Sequence, residues 1–322
     1  MMKPPGITRT STALLALLLL ILCLNSLASC TERKTKLNIE MIVAGTETEF
    51  WMSAYAGAQA AAEQYNVKVK MFGPGLESDY RRQEGILRQS ITRKPDAIIL
   101  AANDSSITAD LPNPSAVDGI TLIAIHSGAG GSKWVSYVGS DNYRMGTALA
   151  AEIKSRFTGG AVAVVSFIEE SPAAQEREAG FLDEMAESPA FLILETAYCD
   201  SDIETAKTLA LKLMAENDNL AAIACLNSQS TIGSGMAIEE TGTRSVFLAG
   251  IDCTTEEVGL IERGILGVTL LQNPYAMGYF GLEAAVKSLR GEPPEKTIHT
   301  AFRVINKENL FSEENQRLIF PL

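Results

Sequence analysis

Polar side chains that suit a ligand rich in hydroxyl groups stand at the ends of several apolar runs in this sequence. Asn227 and Asp252 each follow such a run directly, and Gln272 follows the last long one. Amide and carboxylate groups supply directed hydrogen-bond donors and acceptors. Because ligands of open α/β sheets bind beyond the carboxyl ends of the strands, these residues are candidates for one binding site.

Aromatic side chains add an apolar surface to this set. Phe50 and Trp51 follow the first apolar run, where a strand-to-helix turn would normally face water. Aromatic faces suit the C–H faces of a sugar ring, although both rings could instead fill the top of the core. His126 and Ser127 follow the fourth run. A lone histidine is more often structural, but its place at a strand end makes His126 a further candidate.

Catalysis is a weaker interpretation of the same positions. Glu169, Glu170 and Asp200 also follow apolar runs, and two carboxyl groups can act as acid and base in glycoside cleavage. The sequence does not fix their separation. Ser234 lies between two glycines without the spacing of a nucleophile elbow, and the chain has only two histidines. A secreted carbohydrate-active enzyme is therefore the least supported alternative, and no catalytic residue is assigned.

The elements that must position these residues alternate along the chain. Apolar runs of strand length are separated by helical segments, which is typical of parallel sheets covered on both faces. One sheet of ten or more strands would be unusually wide, so we expect two lobes, each a doubly wound parallel α/β sheet. The strands are predicted at 37–44, 67–72, 96–101, 120–125, 135–138, 161–167, 191–197, 221–226, 245–250, 267–271 and 301–305. The helices are predicted at 51–65, 79–91, 142–157, 173–187, 203–216, 231–241, 256–263 and 275–289.

The N-terminal segment has the pattern of an export signal. Lys3 and Arg9 precede an apolar run over 13–24, which is too short for the roughly 20 residues that a membrane-spanning helix needs. Leu-Ala-Ser-Cys at 27–30 resembles a bacterial lipobox. By that resemblance, residues 1–29 are a signal peptide, Cys30 is lipidated, and 30–36 is a tether. The body is then expected on the outer face of the cytoplasmic membrane or in the periplasm, held to the membrane only by its lipid. An uncleaved signal anchor is the alternative.

Composition narrows the class of protein. The 322 residues are 46% hydrophobic and 20% charged, with a formal net charge of −12, which describes a globular protein. A nucleic-acid partner is not expected, because basic clusters are lacking. Cys199, Cys225 and Cys253 have no metal-ligand spacing. They are expected to be buried small hydrophobic residues, and neither a metal nor a cofactor is expected.

Several segments together resemble one known family. They are AGTETEFWMSAYAGAQ at 44–59, VGSDNYRMG at 138–146, AAQEREAGF at 173–181, AGIDCT at 249–254 and LQNPYAMG at 271–278. They are similar to bacterial sugar-binding lipoproteins of the ribose-binding, type I periplasmic binding protein family. That resemblance implies two lobes joined by a hinge with three crossings, near Ser140, Gln272 and Ala301. The first lobe would be 37–140 with 273–301, and the second 141–272 with 302–322.

The resemblance also implies a non-catalytic role. A monomer would close on a sugar or polyol in the interlobe cleft and present it to an ABC permease. A sugar sensor that acts on a receptor or histidine kinase is the alternative. The family's ligand-binding positions fall on Thr48, Phe50, Trp51, His126, Ser127, Gln175, Asn227, Asp252 and Gln272.

Departures from the family pattern bear on the ligand. His126-Ser127 stand where an Asp-Arg pair is usual, Gln175 where an arginine is usual, and Thr48 where an asparagine is usual. Arg177, two residues beyond Gln175, could restore one charge. Because arginine's planar fork grips hydroxyl pairs in a way that His and Gln do not copy, we hypothesise that the ligand is a neutral sugar or polyol other than ribose.

Overall fold

Two parallel sheets organise the part of the chain that the computed structural model describes, residues 36–108, 119–128 and 134–320. Leu37–Leu322 form one compact unit. The expected signal peptide, the lipid site Cys30 and the tether up to residue 35 lie outside the described residues. Within the described residues, no helix combines the length and apolarity that crossing a membrane requires.

The first sheet has six strands in the order β12-β5-β4-β3-β1-β2, with parallel neighbours throughout. β3 is buried at every position, and β1 and β4 at every position but the first. Side chains of β1 alternate between two apolar clusters, with Met41 on one face and Ile42 on the other, so helices cover both faces. The strands are β1 (Asn38–Ile42), β2 (Lys68–Phe72), β3 (Ala97–Leu100), β4 (Thr121–Ile125), β5 (Ser136–Gly139) and β12 (Thr297–His299).

Three α-helices among the described residues flank the first sheet. α1 (Glu49–Tyr65) and α8 (Pro274–Leu289) pack closely against each other on one face, and α2 (Gln83–Arg93) covers the other. The α1–α8 contact depends on glycine, because a Cβ built on Gly278 would lie 1.7 Å from the Ala54 carbonyl oxygen. The first sheet's helices therefore form a tight base for the N-terminal end of α1, which carries Phe50 and Trp51.

The second sheet has the order β13-β11-β10-β9-β6-β7, with β8 beside β6. Its pairs are parallel except for β13, which runs antiparallel to β11. The strands are β6 (Gly160–Ser166), β7 (Phe191–Ile193), β8 (Ala197–Tyr198), β9 (Leu220–Cys225), β10 (Phe247–Ile251), β11 (Leu266–Leu271) and β13 (Arg303–Ile305). The helices around it are α3 (Asn142–Lys154), α4 (Pro172–Ala186), α5 (Ile203–Glu216), α6 (Ser228–Thr241), α7 (Thr255–Glu262) and α9 (Glu313–Ile319).

The predicted architecture of two parallel α/β lobes is confirmed. The chain passes between the sheets after β5, after β11 and after β12. The exact lobe limits given above stay a prediction. Four local differences appear. The predicted helix at 79–91 begins as a 3₁₀ helix, Glu77–Arg82, and the predicted strand at 191–197 is split into β7 and β8. Strand β12 and helix α9 were not predicted.

Candidate functional site

A cavity lies between the two lobes, at the carboxyl ends of both sets of strands. The space outside protein atoms in this region, including the part open to solvent, is about 470 Å³. Its walls combine aromatic, amide, hydroxyl and charged groups. The lining residues are Ala44, Phe50, Trp51, Glu77, Ala101, Ala102, Asn103, His126, Ser127, Phe167, Ile168, Ser171, Arg177, Ser201, Asn227, Ser228, Gln229 and Asp252.

Three rings form the aromatic part of the first-lobe wall. Phe50 and Trp51 begin α1, and His126 follows β4. Their ring centroids are 4.8 Å apart for Phe50–Trp51 and 5.2 Å for each ring with His126, all in edge-to-face geometry. Trp51 is buried, whereas Phe50 is partly exposed. Phe50 is therefore the ring better placed to meet a ligand face, with Trp51 packed behind it.

Glu77 brings a carboxyl group to the same wall. It follows β2 after the sequence Gly73-Pro74-Gly75 and accepts a hydrogen bond from Trp51 Nε1 at 2.8 Å. Burial, reinforced by the nearby charge of Asp252, raises the pKa of Glu77 to about 7. The carboxyl therefore changes its protonation state near neutral pH.

Arg177 is the cationic group of the cavity and comes from α4 of the second lobe. Its side chain is fully buried. Nε donates to Asn142 Oδ1 at 2.9 Å, and one terminal nitrogen donates to the Leu226 carbonyl at 2.7 Å. The other terminal nitrogen lies 3.0 Å from His126 Nε2, across the cleft. Burial lowers the pKa of Arg177, but its ordinary value is so high that the group stays charged.

His126 is held as a neutral acceptor. Since a guanidinium can only donate, the contact with Arg177 makes His126 Nε2 the acceptor and places the ring proton on Nδ1. Burial, followed by the Arg177 charge, lowers the pKa of His126 well below its usual range. The residue has φ +62°, in the left-handed region, and its backbone carbonyl accepts hydrogen bonds from Tyr137 and Asn142. Hence His126 positions Arg177 and does not exchange protons near neutral pH.

Asp252 is the second-lobe carboxylate of the cavity. It follows β10, is 8% exposed, and has φ +85°. Its Oδ1 accepts a hydrogen bond from Gln272 Nε2 at 2.8 Å. Burial raises the pKa of Asp252, and the Arg177 charge opposes that effect. Gln272, where the chain leaves the second sheet after β11, therefore holds the Asp252 carboxylate in place. Burial makes the ionised form of Asp252 less favourable than it would be in water.

Asn227 lines the cavity and also caps a helix. Its Oδ1 accepts from the Ser230 backbone N–H in a capping box at the start of α6. Its Nδ2 donates to Ser201 Oγ at 3.3 Å and to Gln229 Oε1 at 2.7 Å. The side chain is therefore oriented firmly, and its amide protons already have partners.

The structure places the nine candidate residues in different ways. Phe50, Trp51, His126, Ser127, Asn227 and Asp252 line the cavity together. Gln272 lies behind Asp252 and lines a second cavity that shares Phe50 and Asp252 with the first. Thr48 precedes α1, with its hydroxyl buried and without a partner among the described residues. Contact of these residues with a ligand stays a prediction.

One assignment needs correction. Gln175 does not line the cavity, because its side chain is exposed and its amide donates to the Glu169 carbonyl. Arg177 lines it instead. Glu77, Asn103 and Phe167 also line it and were missed. Asn103 and Phe167 lie close after the ends of β3 and β6, where the rule that found Asp252 could have found them, whereas Glu77 lies five residues beyond the end of β2.

Contacts between the lobes close the cavity in this structure. The Ser105 N–H donates to the Glu170 carbonyl at 3.0 Å, and Glu49 Oε2 accepts from the Thr255 N–H at 3.0 Å. Together with the contact between Arg177 and His126, these bonds join first-lobe loops to the second lobe. The described conformation is therefore a closed one.

The cysteines of the body have no reactive setting. Cys199, Cys225 and Cys253 are free and buried, as predicted. Burial raises the pKa of each thiol, to about 12 for Cys199 and Cys225. Over the described ranges, no group of three or more His, Cys, Asp or Glu side chains could hold a metal ion.

Comparison with known proteins matches this architecture. Residues 39–293 match the model of the periplasmic binding protein domain. The ribose import binding protein of Haemophilus influenzae is 24% identical over 298 residues, covering 92% of this chain and 99% of the relative. An ABC transporter solute-binding protein of Agrobacterium vitis, bound to α-D-tagatopyranose, is 28% identical with a TM-score of 0.84. The match covers 88% of this chain and 99% of that protein. A carbohydrate transporter solute-binding protein of Agrobacterium radiobacter, in complex with D-arabinose, is 26% identical with a TM-score of 0.83. The match covers 89% of this chain and 99% of that protein.

Proposed function

Because this chain belongs to the family of periplasmic binding protein domains, we propose that it is an extracytoplasmic solute-binding protein. It binds a sugar or polyol between its lobes and delivers it, chemically unaltered, to an ABC importer. The sugars named for its solved relatives, D-tagatose and D-arabinose, support this class of ligand.

The observation that carries the proposal is the composition of the interlobe cavity. The partly exposed ring of Phe50 offers an apolar surface on one wall. Arg177 and Asp252, on the opposite wall, offer charged donors and acceptors that make strong hydrogen bonds to hydroxyl groups. A ring with C–H faces and a rim of hydroxyls is complementary to both walls at once.

Binding is proposed to act through a shift between open and closed forms. The closed form brings Arg177 to His126 and Glu49 to Thr255 across the cleft. A ligand that touches both lobes adds contacts that exist only in that form, so it raises the closed population. To shift an open-to-closed ratio from 99:1 to 1:99, it needs about 5.5 kcal/mol of preference for the closed state.

Attachment to the membrane is the second part of the proposal. Cleavage before Cys30 and acylation of its thiol would tether the body outside the cytoplasmic membrane, since two acyl chains anchor a protein stably. Metabolic labelling with an alkyne fatty acid is expected to label the native chain and to spare a Cys30→Ala variant. Equal labelling of both would refute the anchor.

Titration calorimetry tests the binding function. The panel is D-ribose, D-allose, D-arabinose, D-tagatose, D-fucose, D-glucose, D-galactose and myo-inositol, with thermal shift as a second readout. We expect at least one member to bind with a Kd of about 1 μM or tighter, near −8 kcal/mol, and to raise the melting temperature. If neither these compounds nor their amino derivatives bind, in either readout, the proposal is refuted. Tight D-ribose binding would refute only the hypothesis that the ligand is not ribose.

A further inference from the structure

Several hydrogen-bond donors in the lining of the interlobe cavity are committed to protein acceptors. The Ser127 hydroxyl donates to the Ala102 carbonyl, and Trp51 Nε1 donates to Glu77. The amide of Asn227 donates to Ser201 and Gln229. Such groups can offer a ligand acceptor sites more readily than donors.

Acceptors, by contrast, remain in supply. The carboxyl groups of Glu77 and Asp252 line the cavity, and each has lone pairs beyond those that its protein partners use. Gln272 lies behind Asp252, outside this lining, and its Nε2 bond holds the Asp252 carboxyl in place. The cavity therefore favours a ligand with a concentrated group of donors.

The charges of the lining point the same way. Among the described lining residues, Arg177 is the one cationic side chain, and Glu77 and Asp252 are the two acidic side chains. The hydrogen bonds of Arg177 to Asn142, Leu226 and His126 all go to neutral acceptors, so neither carboxyl group is used up as a hydrogen-bond partner of Arg177. With both acids ionised, the lining has one negative charge in excess, and a monocationic ligand would balance it.

We propose that the ligand bears a protonated amine, as in an amino sugar or an amino-cyclitol, and that Glu77 and Asp252 accept its hydrogen bonds. An ammonium group has three donors and no acceptor, which matches this wall. Arg177 faces the hydroxyl groups. The inference rests on the proposed function, which it narrows to a substrate class, and it replaces the neutral ligand that the sequence suggested.

The protonation of Glu77 is consistent with this pairing. Without a ligand, burial and the charge of Asp252 raise the pKa of Glu77 to about 7. An ammonium within hydrogen-bond distance favours the ionised carboxylate and lowers that pKa again. Affinity for an amine that stays protonated up to pH 8 is therefore expected to rise between pH 6 and pH 8, as Glu77 loses its proton, whereas affinity for a neutral sugar has no such requirement.

Matched ligands test the proposal by calorimetry at pH 7.5. Two sets contain the hydroxyl, amino and N-acetylamino forms of one skeleton: D-glucose, D-glucosamine and N-acetyl-D-glucosamine, and the galactose equivalents. A third set pairs scyllo-inositol with scyllo-inosamine. In at least one set we expect the amine to bind at least tenfold more tightly than the hydroxyl form. N-acetylation, which removes the charge, is expected to abolish that advantage.

Substitutions of Glu77 and Asp252 test whether these two acids cause the amine's advantage in affinity. Glu77→Gln is expected to reduce the amine's advantage to less than threefold, and Asp252→Asn, from the other lobe, to reduce it as well. Glu84→Gln is the control: it removes an equal charge from the exposed ion pair of Glu84 with Arg88 on α2. This variant is expected to keep the amine's advantage. If every amine binds no better than its hydroxyl counterpart while neutral sugars bind, the inference fails and the proposed function stands. If no member of either panel binds, both fail.

Discussion

Replacing Asp252 by asparagine should weaken ligand binding and at the same time stabilise the unliganded protein. The carboxylate is 8% exposed, and burial raises its pKa, so its ionised form is unfavourable in the folded state. Asparagine removes that cost and tolerates the backbone φ of +85° at this position. It also removes the negative charge that strengthens hydrogen bonds to a ligand.

The magnitude follows from the hydrogen bonds involved. A hydrogen bond to a charged group contributes about 1.5–3 kcal/mol and a neutral one about 0.5–1.5 kcal/mol. Two ligand bonds that each lose about 1 kcal/mol correspond to binding weakened about thirtyfold. The stability gain should show as a rise of a few degrees in melting temperature, since each kcal/mol shifts a domain of this size by about 2–4 °C.

The pH dependence has a definite sign. The folded pKa of Asp252 lies above its unfolded value, so the native protein loses stability relative to Asp252→Asn as pH rises above about 4. Calorimetry for affinity and differential scanning fluorimetry from pH 4 to 8 measure both effects. Asp218→Asn, at an exposed site of the same lobe, is the control and should change neither. Affinity within threefold of native, or a lowered melting temperature, would refute the reasoning.

Three further predictions concern buried positions of the second lobe, with the exposed first-lobe Gly85 as a control for one of them. Glu257 is fully buried beside Asp252, and burial raises its pKa well above the usual range, so its ionised form is unfavourable in the folded protein. Glu257→Gln removes that form and should raise the melting temperature at pH 8, with little difference at pH 4. Gly146→Ala places a Cβ 2.0 Å from the Arg177 carbonyl and should lower the free energy of unfolding in urea by about 1–3 kcal/mol. Gly85→Ala, whose Cβ meets nothing within 4 Å, should raise it by up to about 1 kcal/mol, and equal effects at both sites would contradict the packing argument. Arg177→Lys keeps the charge but loses the planar fork, and should weaken ligand binding at least tenfold in calorimetry; unchanged affinity would remove the fork from the binding site.

The alternation of strands and helices was predictable because the sheets are covered on both faces. Strands such as β3 are apolar at every position, so the sequence marks them without ambiguity. β12 was missed because it is a three-residue edge strand with two exposed positions, paired only with β5. α9 was missed for a similar reason, since Asn315 is its only residue classed as buried.

The choice between Gln175 and Arg177 shows where the sequence alone was insufficient. Residues two apart on a helix differ by about 200° of rotation, so their side chains point to nearly opposite faces and only one of them can face the cavity. The orientation of α4 decides which, and it is set by tertiary contacts. The close approach of α3 and α4 at Gly146 and Gly180 is one of these, because a Cβ on Gly180 would lie 2.1 Å from the Tyr143 carbonyl oxygen.

Glu77 was missed for a different reason. It is separated from the end of β2 by Leu76 and the turn Gly73-Pro74-Gly75, so it did not stand out as a strand-end residue. Only the three-dimensional contact with Trp51 identifies it as part of the cavity. Residues on loops that fold back over a site carry little signal in a single sequence.

The central claim is that the interlobe cavity binds a sugar-like ligand and leaves it unchanged. A crystal structure of the protein with the panel member that binds most tightly tests this most directly. The account predicts an intact ligand between the two sheets, in contact with Phe50 and within hydrogen-bond distance of Arg177 and Asp252. A ligand bound outside that cavity, or one that has been cleaved or modified there, would contradict it.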